Sequence, residues 1–107
     1  MDNWGFLKNK ETLYSLGQVY KKLGKLDRSL EYLYKFKEIT EFEKKKEILS
    51  TKIRLHPSDI TLRLELATLY EDQERVDQAV MILRQAAYLG SIEAENKLKT
   101  LLVKNQP

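Results

Sequence analysis

The sequence predicts an all-α fold built as a helical repeat of five or six helices. Three observations carry this. The 107 residues include only two prolines and four glycines, three of the glycines before residue 25, so long tracts contain no helix breaker. Apolar residues recur at spacings of three and four along most of the chain. Two stretches, LYSLGQVYKKLGKLDRSLEYL and LRLELATLYEDQERVDQAVMIL, resemble each other position by position.

Each element has its own justification. Residues 10–23 place Leu13, Leu16, Val19, Tyr20 and Leu23 on one stripe, which reads as an amphipathic helix. Gly24 stands at the following turn, where a left-handed residue is often needed. Asp27 opens a second helix, expected to bury Leu30, Leu33 and Phe36. After Pro57, Ser58 or Asp59 caps a helix carrying Leu62, Leu66, Leu69 and Tyr70. Asp77, or a residue just before it, starts the next, with Val80, Leu83, Ala86 and Ala87 apolar. Gly90 ends that helix and Ser91 caps a last one, about 92–104, with Ala94, Leu98, Leu101 and Leu102 apolar. Glu95, Lys97 and Lys99 give this last helix a charged outer face, as suits a closing helix.

The internal likeness has a fixed spacing. Leu16, Gly17 and Tyr20 align with Leu66, Ala67 and Tyr70. Twelve residues after Gly17 and Ala67 come Ser29 and Ala79, and four further on come Leu33 and Leu83. Small residues recur where two helices must approach closely, and large ones where a gap must be filled.

This pattern resembles the tetratricopeptide repeat, a helix–turn–helix unit with small and aromatic residues at set positions. The first copy, about 10–43, holds Leu13 in the Trp slot, with Ser29 and Phe36 for the two Ala slots and Glu41 for Pro. The second, about 60–93, holds Leu66, Ala67, Tyr70, Ala79, Leu83 and Ala86, but Arg63 in the Trp slot and Ser91 for Pro. Arg63 is the worst fit and suggests a helix end facing water. Two degenerate copies, an extra helical segment and a capping helix thus make a single domain spanning 1–107.

The extra segment, about 44–57, explains a copy spacing of 50 residues where the family repeats every ~34. It carries Ile48, Leu49, Ile53 and Leu55 on one stripe, and Pro57 sits where the family places its proline. Two structures satisfy it. Thr40 and Glu43 form a capping box that starts a new helix. Alternatively, one helix runs over about 27–55. The second is favoured, because a capping box is worth only about 1 kcal/mol and no residue is left over for a turn. The short stretch Trp4-Gly5-Phe6-Leu7 reads as the stub of an earlier helix.

Composition narrows the function. No cysteine is present, so disulfides, thiol nucleophiles and thiolate zinc sites are excluded. No apolar run approaches the ~20 residues that span a bilayer, and the N-terminus does not read as a signal peptide. A cytoplasmic location and no membrane partner are expected, although a trimmed exported domain would look the same. The lone His56, the isolated glycines and the scattered serines offer no metal site, phosphate loop or nucleophilic triad. The carboxylate pairs Glu41/Glu43 and Glu71/Asp72 sit among solvated charges. Neither catalysis nor a cofactor is expected.

What remains is binding. By the resemblance, the first helix of each repeat lines a concave surface. The projecting positions are then Glu11, Tyr14, Gln18, Lys21 and Lys22 in the first copy, and Thr61, Leu64, Thr68, Glu71 and Asp72 in the second. Tyr14 offers rigid area with a polar tip, and Leu64 is expected to be an exposed leucine. Against this, Tyr14 could pack on the Trp4–Leu7 stretch and Leu64 on the last helix. One subfamily grips the C-terminal carboxylate of heat-shock chaperones with Lys and Asn; here the slots hold Tyr14, Gln18 and Glu65, and Glu65 repels a carboxylate.

The implied function is a protein-interaction module, an adaptor or scaffold for a protein or peptide. The alternative is self-association into a homodimer, including an exchange of halves. Weak nucleic-acid binding comes third. Residues 1–57 carry 13 Lys/Arg against 8 Asp/Glu and residues 58–107 carry 6 against 8, but the lysines alternate with acids and no arginine cluster is evident.

Overall fold

The computed structural model describes residues 9–104, and within them short turns join helices and no strand occurs. Five helices follow one another: α1 (Lys10–Lys22), α2 (Leu26–Leu55), α3 (Ile60–Asp72), α4 (Val76–Tyr88) and α5 (Ile92–Lys104). The stub expected at Trp4–Leu7 lies outside the described residues. The described residues divide into two compact units, one up to Lys44 and one from Lys45 on.

The continuous reading of residues 27–55 holds. α2 runs unbroken for 30 residues, or ~45 Å at 1.5 Å per residue. Thr40 does not cap anything: its hydroxyl donates to the Phe36 carbonyl one turn back, at 2.9 Å. That is the usual satisfaction of a threonine inside a helix. Glu43 turns instead to α1, where the Lys10 ammonium donates to its Oε1 at 2.8 Å. This hydrogen bond, with the attraction of the same carboxylate, raises the Lys10 pKa above its ordinary value.

In the first unit α1 packs on the first half of α2. The contact needs small residues. Gly17 is buried, and a Cβ built there would lie 2.6 Å from Cγ and Cδ2 of Leu33. Ser29 is buried opposite it and donates through Oγ to the Gly17 carbonyl at 2.8 Å. Leu13, fully buried, and Phe42, 2% exposed, are the other closely packed side chains of this unit. Tyr20 and Tyr32 stack nearly parallel, 5.6 Å between centroids, with the Arg28 guanidinium 6.0 Å from the Tyr20 ring.

The apolar stripes of this unit are wider in the sequence than in the fold. Val19 and Leu23 on α1 are exposed, as is Leu30 on α2. The reason is geometric: a two-helix hairpin covers one face of each helix, and these positions lie off that face. Phe42 is buried although it stands between two glutamates.

In the second unit α3, α4 and α5 enclose Ala67, Leu83, Ala86 and Ala94, each fully buried, with Ile60, Leu64, Ile82, Ala87, Leu98 and Leu101 packed around them. Ala79 is fully buried as well. On the second half of α2, Leu49 and Ile53 are half-buried, while Ile48 and Leu55 are exposed.

Three turns share one construction. At Tyr20–Lys25 the Lys25 N–H donates to the Tyr20 carbonyl at 2.9 Å and the Gly24 N–H to the Lys21 carbonyl at 3.1 Å. The same two bonds recur at Tyr70–Arg75 and at Ala86–Ser91. Each is a Schellman closure, which requires a left-handed residue. Gly24 (φ 76°) and Gly90 (φ 103°) supply it without strain, while Glu74 (φ 57°) adopts it with a side chain. Ser91 then caps α5, its Oγ accepting from the Ala94 N–H at 3.0 Å. α3 begins after Asp59, whose side chain makes no capping bond.

Candidate functional site

The helix face proposed on α1 is an open one. Glu11, Lys21 and Lys22 are exposed, and Gln18 is half-buried. Tyr14 is 48% exposed, and its ring rests on Phe36 of α2, centroids 5.2 Å apart and tilted by 52°. Part of its surface is therefore spent on holding the hairpin together.

The corresponding face of α3 is more enclosed. Leu64 stands 50 residues after Tyr14, as Ala86 does after Phe36, and it is half-buried against the core that contains Ala86. The expectation of an exposed leucine is thus corrected: with alanine at position 86, the slot draws the leucine inward. Thr61, Thr68 and Asp72 are exposed. Thr68 donates to the Leu64 carbonyl at 3.1 Å and accepts from the Lys97 ammonium at 3.5 Å.

Glu71 is the residue that the second unit places most distinctively. It lies beside α5 in a groove of about 550 Å³ lined also by Glu93, Asn96, Lys97, Thr100, Leu101 and Lys104. Its Oε1 is buried and has no hydrogen-bond partner among the described residues. An unpaired buried carboxylate oxygen is costly, so it marks a place where a donor is wanted. Thr68 and Asp72 also border a smaller groove of about 290 Å³, with Lys45, Ile48, Leu49, Glu65 and Leu69. Sequence reasoning placed Glu71 on the surface but missed its α5 neighbours. Lys97 and Lys99 both read as water-facing, whereas Lys97 is half-buried and bonded to Thr68.

Arg63 was expected to face water. It is half-buried, its Nη1 donating to the Pro57 carbonyl and its Nε to Gln85 Oε1 at 3.4 Å. Arg63 therefore ties the start of α3 to the loop before it and to α4.

Among the described residues no group of three or more His, Cys, Asp or Glu is arranged to hold a metal ion. No helix of the described residues is long and apolar enough to cross a membrane.

Comparison with known proteins adds one finding. Residues 10–42 match the family model of the tetratricopeptide repeat. No curated protein and no solved structure matches the chain. The matched segment spans α1 and the part of α2 that packs on it, the hairpin closed by Gly17, Ser29 and the Gly24 turn. Such repeats are generally protein-interaction modules and generally not catalytic. The hairpin of residues 10–42 is thus similar to a tetratricopeptide repeat, and the match covers about a third of the chain.

Proposed function

We propose that this protein is an interaction module that binds a protein or peptide along the first helices of its hairpins, and that the α3–α5 groove is its principal contact surface. The observation that carries this is the unpartnered Oε1 of Glu71 in a groove that also offers the Lys97 and Lys104 ammonium groups and the Asn96 amide. An extended peptide presents backbone N–H and C=O groups in alternation. Donors and acceptors of both kinds along one groove suit it.

In the first unit the same reading assigns Glu11, Tyr14, Gln18, Lys21 and Lys22 to partner contact, and in the second Thr61, Thr68 and Asp72 beside Glu71. Leu64 contributes through packing, so truncating it would weaken the fold before it weakened binding.

Selection of peptides from a random library, followed by titration of the winners, tests the reading. Glu71→Ala and Asn96→Ala are each expected to weaken the selected peptides about tenfold, because the first removes the buried acceptor and the second an amide on the groove wall. Winners that bind both variants as tightly as the parent would remove the groove from the account.

Self-association is the second reading, favoured by one observation. Leu26, Leu30 and Tyr34 stand one turn apart on the outer side of α2, and each is at least 60% exposed. Three large apolar side chains in a row are an interaction surface rather than ordinary scatter. A homodimer, by simple pairing of this face or by exchange of halves, would cover them.

A further inference from the structure

A second surface lies at the end of the α3–α4 hairpin where α3 begins and α4 finishes. There Arg63, Arg84, Gln85, Tyr88 and Leu89 line a groove of about 380 Å³. Arg84, Gln85 and Tyr88 are spaced so that they share one face of α4, and Leu89 caps its end. Both charges in the groove are positive, and no carboxylate lines it.

Neither guanidinium is neutralised. Arg63 bonds only to neutral oxygens, those of Pro57 and Gln85, which fix its plane and leave part of its fork of donors free. Arg84 is exposed and has no hydrogen-bond or ion-pair partner among the described residues. Arg63 also lies in the first turn of α3, where a positive charge opposes the helix dipole. Its two bonds tie the start of α3 to its surroundings without using the charge. Beside the charges, Tyr88 is 92% exposed and Leu89 40%, the tyrosine being the most exposed large apolar side chain among the described residues.

We propose that this end of the hairpin is a docking site for an acidic segment of a protein partner. One carboxylate of that segment is held by Arg63 and Arg84, and a neighbouring apolar side chain lies against Tyr88 and Leu89. The site is separate from the α3–α5 groove and does not depend on it. Arginine pairs match the planar, two-oxygen geometry of a carboxylate. Uncompensated charge beside an exposed aromatic is the composition of a binding hot spot. A nucleic-acid strand gains affinity from many phosphate contacts, and two arginines offer only a short track.

The test uses the full chain and two labelled peptides, Gly-Ser-Glu-Glu-Leu-Leu-Ser-Gly and its counterpart with glutamine for both glutamates. Fluorescence anisotropy gives affinity, and the arginine side-chain N–H signals in NMR give location. The acidic peptide is expected to bind about tenfold more tightly than the glutamine peptide. Arg84→Gln, at an exposed position, should remove that difference while leaving Tm unchanged, and Lys99→Gln should leave binding as it was. Signals of Arg63 and Arg84 should shift. Equal binding of the two peptides, full binding by Arg84→Gln, or shifts confined to Asn96 and Thr100 would each overturn the proposal. So would tighter binding of a labelled oligothymidylate through the same arginines.

Discussion

Single residues decide the closeness of the helices. The bond from Ser29 to the Gly17 carbonyl is buried at the narrowest point of the first hairpin. Ser29→Ala keeps the size but loses the bond, and is expected to lower stability by about 1 kcal/mol in urea denaturation. Ala79 holds the equivalent position in the second hairpin with no hydroxyl at all, and is fully buried. Ala79→Leu should cost on the order of 1–3 kcal/mol by crowding. Glu74 tests the turns. It occupies the left-handed slot that Gly24 and Gly90 fill elsewhere. Glu74→Gly is expected to raise stability by about 0.5–1 kcal/mol and Gly24→Ala to lower it by about as much. Equal melting of these variants and the parent would show that the turns carry no strain. Much of this residue-level detail could be read in the sequence, because small residues recur at a spacing of 50. Phe42 could not. It stands in a charged run, and the residue 50 positions later, Ile92, is 72% exposed, so the repeat offered no guide.

Among the elements, α2 separates two readings of one segment. The sequence permits a capped start at Thr40 as well as a continuous helix, and it favours the second only slightly, since a cap is worth about 1 kcal/mol. Glu41→Pro distinguishes them experimentally. Proline at the first position after a cap is well tolerated, whereas in a helix interior it costs ~3 kcal/mol or more. With Thr40 bonded to Phe36 and helix on both sides, the larger loss is expected in a denaturant titration. A variant as stable as the parent would mean that the helix ends at Thr40. The candidate contact residues were harder to read for a related reason. Tyr14 and Leu64 occupy equivalent slots, yet one is half exposed over Phe36 and the other is drawn towards Ala86. What a slot exposes depends on the size of the residue across the hairpin, which a single helix does not reveal.

At the scale of the whole molecule, the open question is whether the chain acts alone. The Leu26–Leu30–Tyr34 row gives the self-association reading its own experiment. Leu30→Glu places a charge in the centre of that row, at a position already 64% exposed, and should leave the fold intact. Sedimentation equilibrium of the parent is expected to give a mass that rises with concentration, and the variant a constant monomer mass. A parent that remains monomeric at high concentration would confine the chain to binding other proteins.

The unbroken course of α2 also bears on how the protein meets proteases. Its Lys44-Lys45-Lys46 triplet lies within continuous helix, and two of the three lysines are exposed. In a loop such a triplet would be the first place for trypsin to cut. Here the enzyme has to wait until several turns unwind, since a scissile bond must enter its cleft in extended form. Digestion should therefore begin elsewhere, at the turns that hold Lys25 and Arg75, and the most basic run of the chain should be among the last to yield.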